Sequence, residues 1–192
     1  TKQGLDESLN KSGLNYFDLV LIHWPMGHDL DTWRALEEAY KAGKTRAIGI
    51  SNFNSRQTLE LINHAEIQPM VDQIETHLLL QQWKMHEFLK KENIIHESYS
   101  PLGNGQQNLM TNPVLQKIGE KYGKSPIQVI LRYLVQNDIV TIPRSTNPAH
   151  IKANIDIFDF ELDKEDLKRL RALDERKPID GWPAEMREDE DY

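Results

Sequence analysis

The sequence contains no cysteine among its 192 residues. This absence excludes disulfide bonds and cysteine-ligated metal sites and favours a reducing compartment, so we expect a cytoplasmic protein without a bound metal. The sequence also lacks a run of about 18 apolar residues and an apolar segment near its start, so it predicts neither a membrane-spanning helix nor a signal peptide. Acidic residues outnumber basic ones by 30 to 23, giving a net charge of −7. We therefore expect neither a membrane nor nucleic acid as a partner.

Short runs rich in β-branched residues alternate with segments of helical periodicity. The predicted strands cover residues 17–23, 46–50, 70–74, 94–99 and 139–143. After a helix at the start of the chain, the spacing of apolar residues predicts helices over 30–42, 57–64, 82–91, 112–123, 125–136 and 163–173. Asp31 or Thr32 is expected to cap the first of these six helices, and Asp163 the last. Alternation of this kind indicates a parallel α/β sheet.

The spacing of the predicted strands distinguishes two parallel architectures. An open doubly wound sheet is one alternative, but no strand is followed by the glycine-rich phosphate loop of that fold. The strands lie about 30 residues apart, so eight strand–helix units need roughly 280 residues, the ordinary size of a (β/α)8 TIM barrel. The chain, with 192 residues, is therefore expected to form strands 4 to 8 of such a barrel with their helices. We treat residues 1–192 as a single domain, the C-terminal five-eighths of the barrel.

Polar or aromatic residues stand at the end of every predicted strand, where a barrel carries its functional groups. They are His23 and Trp24, Ser51 and Asn52, Gln73 and Glu75, Tyr99 and Ser100, and Arg144 and Ser145. From position alone, His23 is either a core histidine or a hydrogen-bond donor to a carbonyl. Ser51 and Asn52 either turn the chain or bind a planar carboxamide. Arg144 belongs either to a solvated loop or to a phosphate site.

Several motifs in order resemble the aldo-keto reductase family along essentially the whole chain. They are the segments 18–25 (DLVLIHWP), 43–53 (GKTRAIGISNF), 99–103 (YSPLG), 142–145 (IPRS) and 158–162 (FDFEL), together with Asn154. Within the family, the sequence is most similar to bacterial reductases of the diketogluconate reductase type. The resemblance implies a (β/α)8 barrel that reduces aldehydes or ketones by hydride transfer from NADPH.

The resemblance also implies roles for individual residues. His23 matches the catalytic histidine that orients and polarises the substrate carbonyl, and Trp24 and Trp182 match the substrate pocket. The implied cofactor-binding residues are Ser51, Asn52 and Gln73 for the nicotinamide carboxamide, Tyr99 for stacking, Ser100 and Leu102 for the pyrophosphate and ribose, Arg144, Ser145 and His150 for the 2′-phosphate, and Asn154 for the adenine.

Two departures from the family pattern modify these expectations. The family's catalytic tyrosine, lysine and aspartate belong to the first three strands, which have no counterpart in this sequence, so we expect the chain alone to be inactive. His150 stands where NADPH-selective members carry arginine, so we expect NADPH to be preferred and NADH to be usable. The complete protein is expected to be a monomer acting on a small carbonyl compound. The alternative is a non-catalytic, cofactor-binding regulatory subunit of the same fold.

Overall fold

The computed structural model of the chain describes residues 2–105 and 107–180. Within them, five strands alternate with helices in the predicted order. The strands are β1 (Val20–Ile22), β2 (Ile48–Ser51), β3 (Val71–Glu75), β4 (Ile95–Tyr99) and β5 (Val140–Thr141). The helices are α1 (Lys2–Ser12), α2 (Asp29–Lys41), α3 (Ser55–His64), α4 (Trp83–Lys91), α5 (Gln107–Met110), α6 (Pro113–Tyr122), α7 (Pro126–Gln136), α8 (Pro148–Ile155) and α9 (Lys164–Arg171), with a 3-10 turn at Gly103–Gly105.

The strands form one parallel sheet in the order β1-β2-β3-β4-β5, so each strand pairs with the next one along the chain. Val20 pairs with Ile48, and Glu75 pairs with Tyr99. The prediction of a parallel α/β sheet is therefore confirmed. The first strand is shorter than the predicted run 17–23, because Phe17 forms only an isolated bridge to Thr45. No helix in the described part of the chain is long and apolar enough to cross a membrane.

The helix starts follow local hydrogen bonding, which corrects one predicted cap. Asp163 caps α9 as predicted, because its side chain accepts from the backbone N–H of Asp166. Neither Asp31 nor Thr32 caps α2, which begins at Asp29. The Asp29 carboxylate instead accepts from the N–H groups of the preceding turn, at Met26 and Gly27. This carboxylate stabilises the turn that leads from β1 into α2.

Besides the four-residue α5, the periodicity missed helix α8, which follows the loop expected to open at Arg144 and Ser145. It has no buried residue, so it shows no apolar face for a periodicity argument to detect. Its start nevertheless carries a recognisable signal: Asn147 caps the helix and Pro148 occupies its first turn. The pair Asn112-Pro113, which opens α6, carries the same signal.

Two buried histidines, His96 of β4 and His86 of α4, face each other with their Nδ1 atoms 3.1 Å apart. The Thr76 hydroxyl donates to the Ile74 carbonyl and lies 2.7 Å from His96 Nε2. A neutral His96 donates through one ring nitrogen and accepts through the other, so Thr76 and the neutral His86 satisfy both of its nitrogens. This arrangement holds two neutral imidazoles.

The surroundings of the pair oppose its protonation. Burial, followed by the neighbouring His86, lowers the pKa of His96 to about 3. Burial, followed by Lys90, also lowers the pKa of His86, against the opposing charges of Asp138 and Glu87. An unfolded histidine has a pKa near 6.5, so below that pH the unfolded chain binds protons that the folded chain does not. The two histidines therefore leave the free energy of unfolding unchanged above pH 6.5, and they lower it as the pH falls from 6.5 towards their pKa values in the folded protein.

We predict that His96 makes the fold sensitive to acid. Between pH 6.5 and 4.5 it should lower the free energy of unfolding by about 2 kcal/mol, in addition to the effect of titrating carboxylates. Urea unfolding of the wild type and of His96→Asn at both pH values measures the difference. The exposed His64 provides the control, since His64→Asn should keep the full pH dependence of the wild type. An equal pH dependence in wild type and His96→Asn would contradict the prediction.

Candidate active site

The carboxyl ends of the five parallel strands meet at one edge of the sheet and carry the predicted site residues. His23 follows β1, Ser51 ends β2, Gln73 lies in β3, and Tyr99 ends β4. Arg144 follows β5 in the next segment. The topology thus places the predicted groups along a single edge, as a barrel site requires.

A hydrogen-bond network joins the ends of β1, β2 and β3. Asn52 adopts a left-handed backbone with φ of 63°, and its N–H donates to the Gln73 carbonyl at 3.0 Å. Its Nδ2 donates to the His23 carbonyl at 3.0 Å and to Ser51 Oγ at 3.1 Å. Ser51 Oγ in turn donates to the Gln73 carbonyl at 2.8 Å. Both hydrogens of the Asn52 amide and the hydroxyl hydrogen of Ser51 are therefore used within the protein.

The carbonyl oxygen of the Asn52 side chain is left over from this network. Asn52 is buried, and its Oδ1 has no hydrogen-bond partner within residues 2–105 and 107–180. A buried acceptor without a donor costs about 1–3 kcal/mol. The neighbouring Gln73 is half-buried and uses Nε2 to donate to Glu97 Oε1 at 2.5 Å, which leaves its second amide hydrogen available. The site therefore offers one acceptor and one donor, the complement of a carboxamide.

The His23 side chain is exposed, which is not the environment of a core histidine. Its ring meets the half-buried Trp24 edge to face, with the ring centroids 6.2 Å apart. The His23 backbone is fixed by the Asn52 amide, so the imidazole is presented from an anchored point of the chain. Trp182, predicted to line the substrate pocket, lies outside the described residues.

Beside Tyr99, a buried carboxylate that the sequence marked only as a strand-end residue, without a role, organises the site. Glu75 Oε1 accepts from His77 Nε2 at 3.0 Å and from the backbone N–H groups of Ile179 and Asp180 at 2.5 and 3.0 Å. His77 Nδ1 accepts from the Leu79 N–H at 3.2 Å, so His77 is the neutral tautomer protonated at Nε2. Burial alone would raise the pKa of Glu75, but these three hydrogen bonds bring it below the usual value. Glu75 is therefore a buried anion.

The environment of Tyr99 keeps its hydroxyl protonated. Burial raises its pKa, and the charges of Glu75 and Asp180 raise it further. In the following loop, Ser100 donates to the Asp180 carboxylate and lies 3.4 Å from the side-chain oxygen of Asn104. Leu102, predicted to contact a cofactor, has a half-buried side chain that packs against the core around α6 and α7.

Three of the four residues predicted to bind the 2′-phosphate and the adenine lie at a separate groove of about 820 Å³ beside β5 and α8. Arg144, Ser145 and Asn154 line it together. Arg144 is exposed and makes no ion pair with any described residue. His150 is also exposed, on α8, and is not among the residues that line the groove. Most of the residues that line the groove are apolar, and Arg144, Ser145 and Asn154 are among its polar ones.

The family model that describes the aldo/keto reductase family matches residues 2–175. The chain belongs to this family. It is 47% identical over 188 residues to the glyoxal reductase of Bacillus subtilis, covering 97% of this chain and 67% of the relative. The chain spans about two thirds of the length of the curated relatives it matches.

Two solved structures show the same fold. The aldo-keto reductase MGS-M4 from a Medee basin deep-sea metagenome library has a TM-score of 0.90 and 42% identity, covering 94% of this chain and 69% of that one. An aldo-keto reductase of the silkworm Bombyx mori, solved in complex with NADPH, has a TM-score of 0.87 and 37% identity. The match covers 91% of this chain and 59% of the silkworm protein. The predicted family and the predicted part of a (β/α)8 barrel are confirmed, while the roles of individual residues stay predictions.

Proposed function

We propose that the chain forms the cofactor-binding part of an NADPH-dependent reductase of small aldehydes and ketones. The observation that carries this proposal is the buried, unsatisfied Asn52 Oδ1 beside the available N–H of Gln73. A nicotinamide carboxamide would donate to the first and accept from the second. The relatives named above include a glyoxal reductase and no regulatory subunit, so they give no support to the non-catalytic alternative.

The described residues fit such a cofactor at three points. Asn52 and Gln73 would hold the carboxamide, and the protonated Tyr99 would offer a flat aromatic face. At the groove beside β5, Arg144 and Ser145 would bind the 2′-phosphate, for which a guanidinium is geometrically suited. When bound, the cofactor would supply the hydride for carbonyl reduction.

His23 would act on the substrate. Its exposed imidazole can donate a hydrogen bond to a carbonyl oxygen, which draws electron density from the carbonyl carbon and orients its face. The developing alkoxide also needs a proton, and the sequence has no match to the family's tyrosine, lysine and aspartate. We therefore expect these 192 residues to bind cofactor without turnover. The preference for NADPH over NADH, the cytoplasmic location and the monomeric state also stay predictions.

Titration with NADPH and NADH, followed by fluorescence of the reduced nicotinamide, tests the proposal. Asn52→Gly should weaken the binding of both cofactors equally, because glycine tolerates the left-handed backbone but lacks the side-chain amide. Arg144→Ala should weaken the binding of NADPH by about 5–30-fold and leave the binding of NADH unchanged, because only NADPH carries the 2′-phosphate.

The control for Arg144→Ala is Arg169→Ala, which removes an exposed arginine paired with Glu165 on α9. It should leave both affinities unchanged. Equal loss of NADPH and NADH affinity in Arg144→Ala would show that Arg144 does not bind the 2′-phosphate. Unchanged binding of both cofactors in Asn52→Gly would remove the carboxamide site.

A further inference from the structure

The segment that follows α9 lies across the site as a strap, here residues 174–180. The N–H groups of Glu175 and Lys177 both donate to the Leu79 carbonyl, at 3.1 and 2.9 Å. Further along, the N–H groups of Ile179 and Asp180 donate to the buried Glu75 carboxylate. The backbone of the strap is thus held at two points, and the second of them lies directly beside Tyr99, which pairs with Glu75.

This anchoring directs the Asp180 side chain into the loop after β4. One carboxylate oxygen, Oδ2, accepts from Ser100 Oγ, and the other, Oδ1, accepts from Asn104 Nδ2. Ser100 and Asn104 both have left-handed backbones, with φ of 51° and 53°, so their donors converge on one point. No lysine or arginine within residues 2–105 and 107–180 pairs with Asp180. An anion is therefore held by two neutral donors without a cation.

Ser100 is also the residue for which the family resemblance implies contact with the pyrophosphate of the cofactor. We propose that Asp180 is an internal anion that occupies the donors of the pyrophosphate site, so the dinucleotide must displace it in order to bind. The inference rests on the proposed function. Two anions close to the same donors repel each other, and no described cation compensates the second charge. Asp180 is thus a residue that limits cofactor affinity and speeds cofactor release.

A purely structural role of Asp180 makes the opposite prediction. If the carboxylate serves to hold the loop in shape for the cofactor, its removal loosens Ser100 and Asn104 and weakens binding. If it competes with the pyrophosphate, its removal frees both donors and strengthens binding. The sign of the change in affinity therefore separates the two roles.

The experiment is a fluorescence titration of the 192-residue chain with NADPH. Asp180→Ala should tighten binding about two- to fivefold, the scale of an exposed charge interaction, and the gain should shrink at high salt. Asp180→Asn keeps the shape of the side chain and should give a smaller gain. Glu175→Gln removes the same charge from the same strap, away from Ser100 and Asn104, and should leave the affinity unchanged.

A second ligand separates this inference from the proposed function. Adenosine 2′-monophosphate lacks the pyrophosphate bridge, so its affinity should be equal in the wild type and in Asp180→Ala. Weaker or unchanged NADPH binding by both Asp180 variants would overturn the inference and leave the proposed function in place. Binding of adenosine 2′-monophosphate without binding of NADPH, in wild type and Asp180→Ala alike, would also overturn it. If neither ligand binds either protein, the proposed function fails and the inference fails with it.

Proteolysis provides an independent readout of the strap. Arg176 is exposed within it, so trypsin can report whether the segment lies against the protein. Inorganic pyrophosphate should increase cleavage after Arg176 in the wild type by displacing Asp180. It should have no such effect in Asp180→Ala, which has no side-chain carboxylate for pyrophosphate to displace. Equal cleavage of both proteins, with and without pyrophosphate, would contradict the displacement.

Discussion

Replacing His23 with alanine is expected to lower kcat/KM for reduction of a small aldehyde or ketone by about 100-fold. The measurement requires the protein in which these residues act together with the family's tyrosine, lysine and aspartate. The expectation follows from geometry: His23 is exposed at the carboxyl edge of the sheet, and Asn52 Nδ2 anchors its backbone carbonyl at 3.0 Å. The loss should fall on kcat/KM, whereas NADPH affinity should barely change, because the role proposed for His23 is to bind the substrate carbonyl.

Two further variants make this prediction specific. His23→Gln retains a neutral hydrogen-bond donor and should recover part of the lost activity. His64→Ala removes an exposed histidine at the end of α3, whose ring is bonded to the Glu60 carbonyl, and should have no effect. Unchanged kcat/KM in His23→Ala, combined with a lower free energy of unfolding, would assign His23 a structural role instead.

The sequence predicts the strands and the site edge because both depend on short-range patterns. Buried parallel strands need continuous β-branched runs, and the polar residues that end them mark the carboxyl edge of the sheet. Ser51, Asn52 and Gln73 were found in this way, and their hydrogen bonds connect them as neighbours. Helix α8 was missed for the converse reason, since it buries no residue and so has no apolar periodicity.

The network around Glu75 could not be predicted from any local pattern. Glu75 binds the backbone of residue 180, which lies 105 positions away, and no pattern within β3 indicates that contact. The only available signal was a carboxylate within an apolar strand, since a buried charge requires compensating hydrogen bonds. Asp180 carries no such signal, because an exposed aspartate in a charged C-terminal segment is common.

Gly49, in β2, is a position where a single added methyl group should strongly lower the stability. It pairs with Leu21 of β1. A Cβ atom at this position would lie 2.5 Å from the Val71 carbonyl oxygen and 2.7 Å from Leu21 Cδ2. Leu21 can change its rotamer, but the Val71 oxygen can move only if β3 shifts. Gly49→Ala should therefore lower the free energy of unfolding by about 3 kcal/mol, at the upper end of the usual cost of overpacking.

The matched control for Gly49→Ala is Gly4→Ala in α1, where an added Cβ meets no atom within 4 Å. It should leave the free energy of unfolding unchanged or raise it by up to about 1 kcal/mol, because alanine favours the helix. Urea unfolding of the three proteins measures both effects.

A shift of β3 would also separate Ser51 from Gln73, which pair across β2 and β3. Gly49→Ala should therefore weaken the binding of NADPH as well. If Gly49→Ala is as stable as Gly4→Ala, β2 and β3 can accommodate a Cβ atom despite the 2.5 Å distance to the Val71 oxygen. In that case, close packing at Gly49 does not fix the position of Ser51 against Gln73.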